Sequence, residues 1–434
     1  MAYGKGSFNN QDKILPGAYV NVKGEAEVGS VIGSRGKVAV ALNLDWGNDT
    51  GGIFKVTAKE FYTQCIKVFG YAFSDDKMLT LREIFKGANE VYVYRLNATN
   101  GVKASISNFA TAKYAGDRGN AIKVTTSANI DASGKFDVVT TLGDVVVDRQ
   151  TAVTAETIKD NDYVTFLKGS GFTLTAGTKT LTGGANGTAG TTATAQHTDF
   201  LTKLEAYQVN IVGCVDKTDG VAPIYASWVK SQRDTYGNRI QAVLYNQAAD
   251  HEGIINVDDS IDLVPWVMGK SAGCALNACL QNTVYDGEVT PTKNYTQADL
   301  EVAIQAGKFV LHRVGDEFRV LADINSLVTI TGDKNEDFKL NQTIRVVDQI
   351  DVDVCNTWNK NYLGKVPNTE SGRVSFWSSV ITILNEYLAL GAIDEYDKEQ
   401  VTVAEGTQRG SVVMQIPVTV ATMLEKAYIT IVVQ

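Results

Sequence analysis

Proline, histidine and cysteine are scarce in this chain of 434 residues, at 6, 3 and 5 respectively. The five cysteines (Cys65, Cys214, Cys274, Cys279, Cys355) are odd in number, scattered and mostly set in apolar stretches. They exclude a disulfide framework and fit folding in a reducing compartment. Six prolines beside 39 glycines, with no three-residue period, exclude a collagen-like chain and point to many turns and exposed strands. No apolar run approaches the roughly 18 residues of a membrane-spanning helix. The first ten residues lack the apolar stretch of a secretory signal, so the expectation is a protein made in a cytoplasm, with no membrane insertion. An excess of positive charge is also missing. Forty Lys and Arg against 49 Asp and Glu leave a net charge of −9, which excludes nucleic acid as the main partner.

Catalytic motifs are missing as well. Gly269-Lys270-Ser271 resembles the end of a phosphate-binding loop, but Val264 stands where that loop needs its first glycine. A glycine at the start or in the interior of a helix is the expected role. Asp333, Asn335 and Asp337 have the alternate spacing of a calcium loop, yet Phe338 and Ile344 occupy its glycine and bidentate glutamate positions. His197, His251 and His312 lie far apart without metal-ligand spacing, and no GxSxG elbow is present. The expectation is a non-enzyme, with no catalytic, metal or cofactor residues.

What remains is architectural. Residues 1–30 read as an arm: a polar start, the turn Pro16-Gly17, then a short strand at Tyr19, Val20, Asn21 and Val22. Residues 31–101 read strand–helix–helix–strand, with alternation at Val38, Val40, Leu42 and Leu44 and a second strand over 90–96. Residues 102–195 carry strand patterns between Gly, Asn and Asp turns and read as an inserted all-β domain. It ends in a tract, residues 176–195, where all but Lys179, Leu181 and Asn186 are Gly, Thr or Ala, which suggests a linker. From 196 to 410 the α/β rhythm returns. It includes a helix opened by Pro265 and running through Leu280, a hairpin around Gly315-Asp316, and two long helices around Ile344–Tyr362 and Val374–Leu388, the second closed by Gly391. Residues 411–434 finish in two strands, 411–420 and Tyr428, Ile429, Thr430, Ile431, Val432 and Val433. The fold class is therefore α/β (α+β), with a core built from N- and C-terminal parts, an inserted all-β domain and extended terminal β arms. Isolated strands at both ends need a sheet to join, either their own or a neighbouring copy's.

Several segments together resemble the contractile tail sheath proteins of myophages, prophage tails and R-type bacteriocins. They are Pro16-Gly17-Ala18-Tyr19 followed by Val22, Arg35-Gly36, Tyr92-Val93-Tyr94-Arg95, Ala112-Lys113-Tyr114-Ala115-Gly116 with Gly119-Asn120, Arg345-Val346-Val347-Asp348, and the last strand from Glu425. Ala115 stands where that family has proline. The resemblance implies a structural subunit that polymerises with itself as stacked hexameric rings around an inner tail tube protein. Baseplate and tail terminator proteins would be its other partners. The terminal strands would add to sheets in neighbouring copies, and contraction would drive the tube through a target envelope. A C-terminal helix would face the tube, with Val374, Trp377, Ile381, Asn385 and Glu386 as candidates. The expected location is the tail of a virion or tail-like particle. Alternative readings are an α/β enzyme carrying a β insertion, or a non-contractile tail or surface protein.

Overall fold

The computed structural model describes residues 32–187 and 192–433. The expected strand at residues 19–22 lies outside them. The first part of the core comprises β1 (Lys37–Leu42), β2 (Ile53–Thr57), α1 (Ala58–Phe69), α2 (Leu79–Phe85) and β3 (Glu90–Arg95). β1 is all but continuous in apolar residues because both of its faces are covered, as in a central parallel strand. α1 starts at a reciprocal capping box: Thr57 Oγ1 accepts from Glu60 N, and the Glu60 carboxylate accepts from Thr57 N. It stops at Gly70, whose φ of 79° is left-handed.

The inserted domain follows, with β4 (Ser105–Ile106), β5 (Ala110–Ala112), β6 (Ile122–Ala128), β7 (Phe136–Leu142), β8 (Val145–Val153), β9 (Val164–Phe166) and β10 (Gly177–Thr180). Its strands pair antiparallel in two sheets, β4-β5-β9 and β10-β6-β7-β8. Phe109, Val124, Val138, Phe166 and Leu181 fill the space between them. The Gly/Thr/Ala tract departs from the expected linker. β10 pairs with β6, Leu181 is fully buried, and Val102 and Ser105 bridge to Ala185 and Thr182. Small residues suit this return path because the chain passes against other backbone: a Cβ at Gly187 would stand 2.1 Å from the Thr99 carbonyl. The end of the tract starts a helix, since Thr192 caps α3 (Ala193–Leu204) through Ala195 N.

The core then resumes with β11 (Ile211–Gly213), α4 (Val221–Asp234), β12 (Gln241–Tyr245), β13 (Ile254–Val257), α5 (Val264–Gly273), α6 (Gln297–Gln305) and β14 (Lys308–Phe309). The strands of both parts form one seven-stranded sheet in the order β14-β13-β12-β11-β1-β3-β2, parallel except for the β2 edge. Alternate residues of β1 face opposite layers. Val38 and Val40 join Phe61, Leu81 and Trp266 of α1, α2 and α5, whereas Ala39 and Ala41 join Phe200 and Tyr225 of α3 and α4. α5 ends at Gly273 rather than continuing to Leu280; Cys274 is already extended.

The expected hairpin is present as β15 (Leu311–Val314) and β16 (Glu317–Val320), turning at Gly315 with φ 62°. The C-terminal module comprises α7 (Asn341–Thr357), α8 (Glu370–Leu390), β17 (Ile393–Glu395), β18 (Thr402–Glu405), β19 (Val412–Gln415) and β20 (Thr419–Val420). Its own apolar cluster includes Val346, Ile350, Phe376, Val380, Leu384 and Tyr387. The single strand expected over 411–420 is two strands. Pro417 has no N–H and interrupts the ladder, so β19 pairs with β18 and β20 pairs with β17.

Candidate functional site

The motifs that resemble chemistry have structural roles. Gly269 lies inside α5, and its surroundings are the backbone of α2. Asp333, Asn335 and Asp337 lie in an exposed turn, where Asn335 donates to the Asp337 carboxylate. His197 is fully buried in α3 between the Tyr225 hydroxyl at 2.6 Å and Asp216 at 3.1 Å. Its residue spacing gives no sign of these contacts, because they come from Asp216 and Tyr225, 19 and 28 residues away. Asp234, His251 and Glu252 converge closely enough to hold a metal ion. The Lys334 ammonium is already 2.8 Å from Glu252 and 4.0 Å from Asp234, and Arg233 Nε is 3.6 Å from Glu252. Arg233 also holds Asp348 bidentately, so two cations and three carboxylates form one charge network with His251.

The expected assembly residues that the structure describes lie in the C-terminal module. α8 is capped by the Thr369 hydroxyl accepting from Gly372 N and closes at Gly391, φ 74°. Phe376, Val380, Ile383, Leu384 and Tyr387 are its buried stripe. Of the proposed tube-facing residues, Val374 and Asn385 are exposed, while Trp377, Ile381 and Glu386 are half-buried. Trp377 donates its indole N–H to the Val401 carbonyl at 2.7 Å, and Ile381 packs on the module's apolar cluster. Trp377 and Ile381 therefore hold the module's own returning chain. The exposed face of α8 runs through Val374, Ser378, Thr382 and Asn385, short side chains without charge.

The chain stays attached to this module up to Ala421, whose carbonyl accepts from Gln342 Nε2 of α7 at 2.8 Å. Beyond it the structure assigns no strand. Tyr428, Ile429, Ile431, Val432 and Val433 are 92, 81, 85, 77 and 90% exposed. The sequence reads as a strand there, but strand pairing is absent among the described residues. Within the same module, the β18–β19 sheet has only two strands, so its outer edges carry unpaired backbone groups.

Matches to known families divide the chain into consecutive blocks. The tail sheath protein Gp18 domain III N-terminal region matches residues 35–96, and the phage tail sheath protein beta-sandwich domain matches 97–186. The phage tail sheath protein central domain matches 190–326 and the phage tail sheath C-terminal domain 333–434. The crystal structure of the sheath tail protein from Desulfitobacterium hafniense is similar over 95% of this chain and 99% of that one, at 30% identity and a TM-score of 0.78. The chain belongs to the phage tail sheath family. The sheath protein is thus a structural component of contractile tails of phages or phage-like particles and not an enzyme. It is also 31% identical to the uncharacterized protein YqbK of Bacillus subtilis (strain 168), over 98% of this chain and 99% of that one. At 12% identity it shares a fold, with a TM-score of 0.58, with the helical sheath of the anti-feeding prophage in its contracted state, over 97% and 99% of the two chains. The sandwich match coincides with the β4–β10 domain, and the C-terminal match takes in α7, α8 and the exposed segment. Among the described residues, no helix of the sheath protein is long and apolar enough to cross a membrane.

Proposed function

We propose that the sheath protein polymerises by donating its terminal segments as strands to neighbouring copies. The copies form stacked hexameric rings around an inner tube, and contraction drives the tube through a target envelope. The observation that carries this reading is the free segment 428–433. Its β-branched and aromatic side chains are solvent-exposed, although burying each one would contribute about 1.5–3 kcal/mol. A neighbour's sheet would supply that burial together with main-chain hydrogen bonds. The β18–β19 hairpin is a fitting receiver, since two strands alone are marginal in water and a third adds a ladder. A head-to-tail contact of this kind does not close on itself and generates a helical polymer. Residues 19–22 have the same composition logic at the other end of the chain.

The exposed face of α8, through Val374, Ser378, Thr382 and Asn385, is the surface we assign to the tube. Its short uncharged side chains allow close approach and sliding. The baseplate and terminator proteins would occupy the two ends of the polymer. Deleting residues 424–434 tests the reading. The expected product is a folded monomer, with unchanged thermal unfolding, that forms no striated tubes in negative-stain micrographs. Ordered tubes from the shortened chain would overturn it.

A further inference from the structure

α7 runs on into a π-helical turn, Trp358–Tyr362, before the chain reverses into α8. Wide turns of this kind are rare and recur at functional sites. Here the turn gathers three rings: Phe376 of α8 lies edge-on to Trp358 at 4.9 Å and to Tyr362 at 5.1 Å. The Tyr362 hydroxyl is engaged at the tip of its ring, 2.6 Å from Ser379 Oγ and 2.8 Å from the Ser375 carbonyl. The rings border a cleft of about 100 Å³, completed by Val366, Gly410 and Val412. Arg373 at its rim donates to Asn368 Oδ1 at 2.9 Å and lies 3.7 Å from Glu405, so its charge is answered locally. Apolar cavities of about 150 Å³ stay dry and admit a guest the size of benzene. The smaller cleft here suits one aliphatic side chain.

The cleft lies to one side of the β18–β19 hairpin. Gly410 and Val412, leading into β19, line it, and no residue of β18 does. Val412 and Met414 are half-buried, and Met414 packs on the module's apolar cluster, whereas Val413 and Gln415 are exposed. A strand added along the free edge of β19 continues the Val412 and Met414 face over the cleft, and every second side chain of that strand points down. Residues 428–433 have two unlike faces: Ile429, Ile431 and Val433 are apolar throughout, whereas Tyr428 and Thr430 bring hydroxyls to the other. In its own subunit this segment lies in solvent, so the occupant comes from a second copy.

We propose that the cleft bordered by Trp358, Tyr362 and Phe376 takes an isoleucine of the Ile429/Ile431 face of a neighbouring copy's terminal segment. The inference rests on the strand donation set out above. It adds which edge of the hairpin receives the strand, that of β19, and which side chains fix its facing.

The test is the concentration at which the purified full chain forms striated tubes, read by sedimentation and negative stain. Ile429→Thr/Ile431→Thr keeps β-branched residues, so strand propensity is retained while the apolar face is lost. It is expected to raise the tube-forming concentration by about tenfold or more. Val366→Trp, which fills the cleft on the receiving side, is expected to do the same with thermal unfolding unchanged. The matching pair on the other face, Tyr428→Thr/Val432→Thr, is expected to raise it less. Native assembly by the isoleucine pair or by a folded Val366→Trp overturns the cleft, as does an equal effect of the outward pair. The isoleucine pair sits in an exposed segment, so its result stands even where Val366→Trp fails to fold. Strand donation survives such a result as long as deletion of residues 424–434 still abolishes tubes; tubes from the shortened chain overturn both.

Discussion

Gly269 of α5 packs directly against the Ile84 carbonyl of α2, where an added Cβ would stand 2.1 Å from the oxygen. The contact is reciprocal along the crossing: a Cβ at Gly273 would be 1.9 Å from the Gly87 carbonyl, and one at Gly87 would be 2.4 Å from the Gly269 carbonyl. Three glycines bring the two helices into backbone contact. Gly269→Ala must push the helices apart and is expected to cost about 1–3 kcal/mol in chemical denaturation. A change near zero would show that the crossing relaxes freely.

Trp46 belongs by sequence to the α/β part but is fully buried in the sandwich cluster. Its ring lies edge-on to Tyr114 at 5.3 Å and stacks with Tyr163 at 6.3 Å, and its N–H reaches the Lys67 carbonyl. Arg95 reinforces the junction with bonds to the carbonyls of Gly47 and Ala115. Trp46→Ala is expected to cost about 3–5 kcal/mol and to separate the unfolding of the sandwich from that of the core. Calorimetry showing one unsplit transition of unchanged midpoint would contradict this junction.

Arg233 and Asp348 join α4 to α7 across 115 residues of sequence as a buried bidentate pair. Removing only the carboxylate, as in Asp348→Ala, strands the guanidinium and is expected to cost about 3–5 kcal/mol. The double variant Arg233→Met/Asp348→Leu should recover most of the loss. Denaturant titration of the three variants checks both, and equal losses for single and double variants would contradict the pairing.

The buried histidines set the response to acid. Burial lowers the pKa of His197 below 6.5, against the opposing influence of Asp216. Burial does the same at His251, opposed by Glu252 and Asp234. Each ring is held neutral in the folded state and takes up a proton more readily when unfolded. Their contribution to stability is complete above pH 6.5 and is lost as pH falls from there through the lowered folded values. The midpoint of thermal unfolding should therefore drop below pH 6.5, and His197→Gln should flatten the slope. An unchanged slope in that variant would remove His197 from the account.

Much of this fold could be read from the sequence where local pattern and tertiary contact agree. The strand at β1, the Gly315-Asp316 turn and the Gly391 cap each say in sequence what the structure does. β13 and β2 are strands of four and five residues, too short for the sequence to show a periodicity of their own. The Gly/Thr/Ala tract misled because small residues signal slack chain and close backbone packing equally well. Residues 428–433 are the informative disagreement. Tyr, Ile, Thr and Val in succession encode strand propensity, but a strand needs a partner, and the described chain does not provide one.

That disagreement is also where the central claim is most exposed. A cryo-electron map of the assembled polymer at side-chain resolution would locate residues 428–433 directly. The account predicts a strand hydrogen-bonded to the sheet of another copy, with its apolar side chains covered there. Density placing the same residues against their own subunit, or loose in solvent within an intact sheath, would contradict it.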